Sequence, residues 1–127
     1  MALIKSFRDW NVYQTSRAEA LKIFEITKTF PKEERFAMTD QIRRFSRAVK
    51  AMIAEAWARR RYQAAFINKL NEALGEATET QSWLDDAFDC KYISEQQHRE
   101  FDAAWQSVGA MLNKMIDRAD DFCRSAS

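Results

Sequence analysis

The chain of 127 residues is 46% hydrophobic and 31% charged, with a formal net charge of +1. That is enough for one domain with a real core, too little for two, and too apolar for a disordered chain. Two glycines and one proline exclude a fold built from tight hairpins, and no run approaches the ~18 apolar residues of a membrane span.

The opening MALIKSFRDW holds too short an apolar run for a signal peptide, so the expected location is the cytoplasm. A first helix is expected over about 6–29. Phe7, Trp10, Tyr13, Ala20, Leu21, Ile23 and Phe24 recur there mostly at three- and four-residue steps, as one broad apolar face. Phe30-Pro31 should end it, because proline lacks a donor and pushes the preceding residue out of the α region. Pro31-Lys32-Glu33-Glu34 suits a short helical turn with its acids at the positive end.

A second helix is expected over about 39–60, with Thr39 as its N-cap and Asp40 in the first turn. Ile42, Phe45, Val49, Met52, Ile53 and Ala56 form its apolar stripe. At about 100° per residue, Arg43, Arg47 and Lys50 share a different face, with Trp57 beside them. A third helix over about 62–89 turns Phe66, Leu70, Ala73, Leu74, Ala77, Leu84 and Phe88 inward. Gly75 costs it about 1 kcal/mol relative to alanine, which suggests the close approach of a neighbouring helix. Ser94-Glu95-Gln96-Gln97 matches a capping box and opens a fourth helix over about 94–122, through Phe101, Trp105, Val108, Met111, Leu112, Met115 and Phe122. The tail from Arg124 is expected to fray. Four helices, short connections and no strand pattern give an all-α, antiparallel up-down four-helix bundle.

Charge is unevenly spread along these helices. Arg43, Arg44, Arg47, Lys50, Arg59, Arg60 and Arg61 face a single acid, Glu55, between positions 43 and 61. From Glu72 to Asp102 nine acidic residues stand against Lys91 and Arg99. Such segregation bears on partners more than the net charge does.

Val12-Tyr13-Gln14, Phe30-Pro31-Lys32-Glu33-Glu34, Phe36 and Thr39-Asp40-Gln41-Ile42-Arg43-Arg44 together resemble a family pattern. It is the "VWQ … FPxxExFGLTxQIRR" pattern of the four-helix-bundle proteins encoded in 23S rRNA intervening sequences. Ile53-Ala54-Glu55 is similar to that family's "NIAEG", and Ala73-Leu74-Gly75 to its "ALGS". The likeness runs in order from about Asp9 to Ile116. The departures fall mainly on the second helix and its facing partner: Ala37 and Met38, Met52 and Ala56, Glu76, and the added charge at Arg47. The resemblance implies a homopentameric ring of bundles without enzymatic activity. Similar bundles serve as accessory variability proteins of diversity-generating retroelements, which bind nucleic acid and a reverse transcriptase.

Among candidate sites the basic stripe stands first. Arginine and lysine attract phosphate backbones through a salt-dependent term, and arginine adds bidentate hydrogen bonds. Arg43, Arg44, Arg47 and Lys50 are therefore expected to contact RNA or DNA, with Arg59, Arg60 and Arg61 extending the patch. Trp57 and Tyr62 are placed to stack on unpaired bases. The competing reading is a protein-directed assembly scaffold whose arginines meet acidic faces of neighbouring copies. Trp10 and Trp105 are expected in the core, Trp57 and Trp83 at an oligomer interface.

Catalytic and metal chemistry find little. Glu95 and His98 make one Glu-x-x-His, but a di-iron bundle needs two copies and His98 is the single histidine. Glu55 reads as a buried ion-pair partner, and Cys90 and Cys123 as reduced structural thiols. No nucleophile with a paired base and no glycine-rich phosphate loop occurs, so no enzyme, metal or other cofactor is expected.

Overall fold

A computed structural model describes residues 3–123, so the tail from position 124 lies outside the described residues. Four long helices, α1 Asn11–Thr27, α2 Met38–Ala58, α3 Gln63–Asp89 and α4 Glu95–Asp117, precede a single-turn α5, Ala119–Phe122. Their packing closes a cycle: α1 on α2, α2 on α3, α3 on α4, and α4 back on α1. α1 and α3 therefore sit diagonally across a shared core. Ile23, Ile42, Val49, Ile53, Phe66, Leu70, Leu84, Trp105, Val108 and Leu112 are fully buried in it. Ser16, Ser46 and Thr80 are buried among them at no cost in unpaired hydroxyls, since each donates to a carbonyl one turn back in its own helix.

The helix ends depart from the sequence expectation in ways that local hydrogen bonding explains. The first helix does not start at Ser6. Ser6 and Asp9 cap each other around a 3-10 turn, Phe7–Asp9, and Trp10 is then extended (φ −72°, ψ 130°). Its end comes two residues early, where the hydroxyls of Thr27 and Thr29 donate back to the carbonyls of Phe24 and Ile26 at 2.9 and 2.7 Å. Thr39 is not the N-cap of α2; it is buried inside the first turn, and Ala37 holds the cap position without a side-chain bond. The carboxylate of Glu34, carried there by the 3-10 turn Lys32–Glu34, accepts from the Met38 amide at 3.4 Å instead. The capping box of α4 is present as expected, Ser94 and Gln97 exchanging bonds of 2.8 and 3.0 Å. α3 ends with Lys91 in the left-handed region (φ 64°), which lets the amides of Lys91 and Tyr92 reach the carbonyls of Phe88 and Ala87. The fourth helix breaks at Arg118, and α5 turns Phe122 onto Phe66 and Trp10 at ring distances of 6.2 and 5.9 Å.

Two inward assignments and the reading of Gly75 are corrected. Leu21 is 59% exposed and Phe88 37% exposed, because each lies at the edge of its helix's apolar arc. Gly75 faces open space: a Cβ there would meet no atom within 4 Å, whereas at Gly109 of α4 it would lie 3.4 Å from Leu74 Cδ1. Gly75→Ala is therefore expected to stabilise the bundle by about 1 kcal/mol, seen as a melting temperature about 4 °C higher. A neutral or lower melting temperature would show that the glycine is needed for contact.

Candidate nucleic-acid interface

Between α1 and α2 runs a shallow open groove of ≈ 600 Å³. α1 contributes Gln14, Arg17, Leu21 and Phe24, spaced three or four apart, and α2 contributes Arg47 and Lys50. The helical period aligns each set along one flank. The floor is apolar and no carboxylate lines it. The Phe24 ring is surrounded by cations, with Lys28 Nζ at 4.7 Å, Arg43 Cζ at 4.7 Å and Arg47 Cζ at 5.3 Å from its centroid. The ring's negative faces offset part of the repulsion among these cations. Lys28 is also paired with Glu25 at 3.2 Å. Among the described residues, Arg17, Arg47 and Lys50 have no ion-pair partner.

The expected site residues divide into three groups. Arg43 is half-buried and bolts α2 to α1: its Nε donates to Thr27 Oγ1 at 2.7 Å and a terminal nitrogen to the Phe24 carbonyl at 3.5 Å. Arg44 lies 3.8 Å from Asp40, a solvated pair worth little. Arg47 and Lys50 line the groove itself. Arg59, Arg60 and Arg61 form a separate group, about 24 Å along the helix axis from Arg43. Arg60 folds back there, its Nε donating to the Trp57 carbonyl at 2.9 Å and its Cζ lying 3.4 Å from the Trp57 ring centroid. Arg59 and Arg61 are exposed.

Trp57 also meets Trp10 edge-to-face at 5.0 Å, so its ring is engaged within the protomer. Trp83 is half-buried on α3, against the core, and Tyr62 is 65% exposed at the turn after α2. Trp10 and Trp105 are buried, as expected.

Beyond the Phe24 end of the groove a second depression, ≈ 700 Å³, is lined by Arg35, Phe36, Arg43, Arg44 and Arg47, with Asp40 as its one acid. Arg35 and Phe36 belong to the segment between the proline and α2. That segment is anchored where the Tyr92 hydroxyl donates to Glu34 Oε2 at 2.9 Å. This bond, ahead of burial and the nearby carboxylate's charge, pushes the Tyr92 phenol from 10.0 up to about 12. A raised folded-state value means the bond's contribution is complete below the ordinary value and is lost as pH rises through about 12. In a tyrosinate absorbance titration read against Tyr92→Phe, Glu34→Gln should bring this phenol back towards its ordinary range. An unmoved transition would show that Glu34 does not hold it.

Away from the groove, acids among the described residues take other partners or none. Glu76 on α3 is half-buried, and burial, then Glu79 and Glu72, raise its carboxyl above the ordinary value. Glu55 does form an ion pair, with Lys69 at 3.2 Å, but its side chain is half exposed rather than buried. Glu95 and His98 turn to different partners, Arg99 at 3.0 Å and Asp85 at 2.8 Å. Among the described residues no group of three His, Cys, Asp or Glu could hold a metal ion, and no helix is long and apolar enough to cross a membrane. Cys90 and Cys123 are free.

Sequence reasoning missed Arg17, Lys28, Arg35, Phe24 and Phe36 as parts of the basic surface. The signal available was the line Gln14, Arg17, Leu21, Phe24, Lys28, a three-and-four spacing at the rim of the first helix's apolar face.

Comparison with known proteins places this geometry in a family. No curated protein matches the chain. It is similar to the crystal structure of a protein of unknown function from the S23 ribosomal protein family of Bacteroides thetaiotaomicron VPI-5482, with a TM-score of 0.76 and 33% identity over 84% of this chain and 95% of that one. The model of the 23S rRNA-intervening sequence protein family matches residues 8–114, and the chain belongs to that family.

Proposed function

We propose that this protein is a non-enzymatic, homo-oligomeric adaptor of the cytoplasm that holds RNA or DNA in the groove between α1 and α2. The observation that carries this reading is the charge balance of the groove: Arg17, Arg47 and Lys50 stand over Leu21 and Phe24 with no carboxylate among the lining residues. Cations left uncompensated at a concave surface focus the field there and draw in polyanions. None of the acids of α3 lines the groove, which leaves its cations free to meet a polyanion. The homopentameric ring implied by the resemblance would repeat the groove around an axis and add avidity. A reverse transcriptase partner, also implied only by the resemblance, is one use to which such an adaptor could be put.

Size-exclusion chromatography with light scattering, run alone and with a structured RNA or a DNA strand, tests the reading. A protomer engaging about four or five phosphates should follow a log–log salt slope of about −3, so binding should weaken about 60-fold between ~50 and ~200 mM salt. A pentamer whose mass rises with RNA at low salt, and falls back at higher salt, is the expected result. A pentamer that ignores RNA and DNA at low salt would overturn nucleic-acid binding and leave an assembly scaffold with protein partners.

A further inference from the structure

We propose that the strand held by this surface is single-stranded, with an unpaired base stacked on the ring of Phe36. This rests on the groove being a nucleic-acid site. Phe36 is 85% exposed, the most exposed large apolar side chain among the described residues, and it does not pack against the core. A lone exposed aromatic is ordinary in itself, but three features set this one apart. Arg35 Cζ lies 5.2 Å from its centroid, and Arg43, Arg44 and Arg47 line the same depression with Asp40 as its one acid. It continues the line of the α1–α2 groove, since Arg43 and Arg47 also flank Phe24. And the segment that presents it is held at both ends, by Pro31 with its fixed backbone and by Glu34, which accepts from Tyr92 at 2.9 Å and from the Met38 amide at 3.4 Å.

An exposed π-face beside a track of arginines is the chemistry that binds unpaired bases: phosphates take the cations and a base covers the ring. A duplex hides its base faces in the stack and offers Phe36 nothing but backbone. Of the two aromatics that the sequence offered for this role, Trp57 has Arg60 over its ring at 3.4 Å and Trp10 at its edge, while Tyr62 is 65% exposed but lies beside Arg59 and Arg61, off the groove. The exposed ring that continues the groove is therefore Phe36, at the other end of α2.

The test measures affinity by fluorescence anisotropy for three probes of equal length: an unstructured pyrimidine strand, an abasic strand with the same phosphates, and a duplex. The single strand is run in both RNA and DNA form. Wild type should bind either single strand about ten-fold tighter than the abasic one. Phe36→Ala should erase that difference while leaving the salt slope unchanged, and Phe36→Trp should retain it. Equal affinity of wild type for all probes, or an unchanged preference in Phe36→Ala, would overturn base stacking while leaving the groove as a phosphate site. Absence of binding to every probe at low salt would instead overturn the groove. Light scattering on Phe36→Ala covers the remaining case, for a lower oligomer mass would make Phe36 a contact between copies and overturn the proposal.

Discussion

Replacing both Arg47 and Lys50 by glutamate is expected to weaken nucleic-acid binding about 100-fold or more at low salt, with helicity and melting temperature nearly unchanged. Both side chains line the groove, neither has an ion-pair partner among the described residues, and glutamate is as good a helix former as lysine. Two phosphate contacts would be lost and two negative charges set against the strand, so the salt slope should fall by about 1.4 for a single strand. The choice of residues matters. Arg43 would be a poor probe, because its Nε holds Thr27 at 2.7 Å and its loss would loosen α2 from α1. Arg60 would be as poor, since it is stacked on Trp57. The double variant also separates the two readings of the basic face. If the arginines serve assembly, the charge reversal should dissociate the oligomer. An intact oligomer with lost binding supports the adaptor, and unchanged affinity in low salt would overturn it.

The bundle itself was legible because its signals are local and periodic. Ile42, Val49, Ile53 and Ala56, which a 3.6-residue period selects, are buried on α2, though Ser46 rather than the expected Phe45 is buried between them, and the Ser94 cap is encoded by four consecutive residues. What was not legible depends on which helices become neighbours. Leu21 and Phe24 look like core positions along one helix; only when α1 meets α2 does the line through Arg17 become one wall of a charged groove. Thr39 looked like a cap because threonine before an acidic turn commonly is one, but Glu34 reaches the Met38 amide from outside the helix. Arg60 looked like one of three equivalent charges at a helix end. Its cation–π contact and its bond to the Trp57 carbonyl arise because α2 stops at Ala58 and the chain turns. In each case the residue type was read correctly, and its partner was decided by where the chain turns or which helix lies beside it.

The largest stability effect is expected at Trp105. It is fully buried on α4, and its indole Nε1 finds no acceptor among the described residues. Trp105→Ala removes a side chain of the largest class from the centre of the core and should cost about 3–5 kcal/mol, a large share of the ~5–15 kcal/mol available to a domain of this size. The melting temperature should fall by about 12–20 °C. Trp105→Phe sets two terms against each other. It leaves a smaller cavity, which destabilises, but it also removes a buried N–H whose desolvation without a partner costs about 1–3 kcal/mol. The net loss should therefore stay below about 2 kcal/mol, with a melting temperature much closer to wild type than that of the alanine variant. A Trp105→Phe cost approaching that of Trp105→Ala would mean that the indole N–H is in fact satisfied in the folded protein. Because the core sets the rotation of α2 about its own axis, Val49 and Ile53 inward and Arg47 and Lys50 towards α1, the folded fraction of either variant should bind nucleic acid like wild type. A binding defect beyond the unfolded fraction would show that packing around Trp105 also tunes the groove.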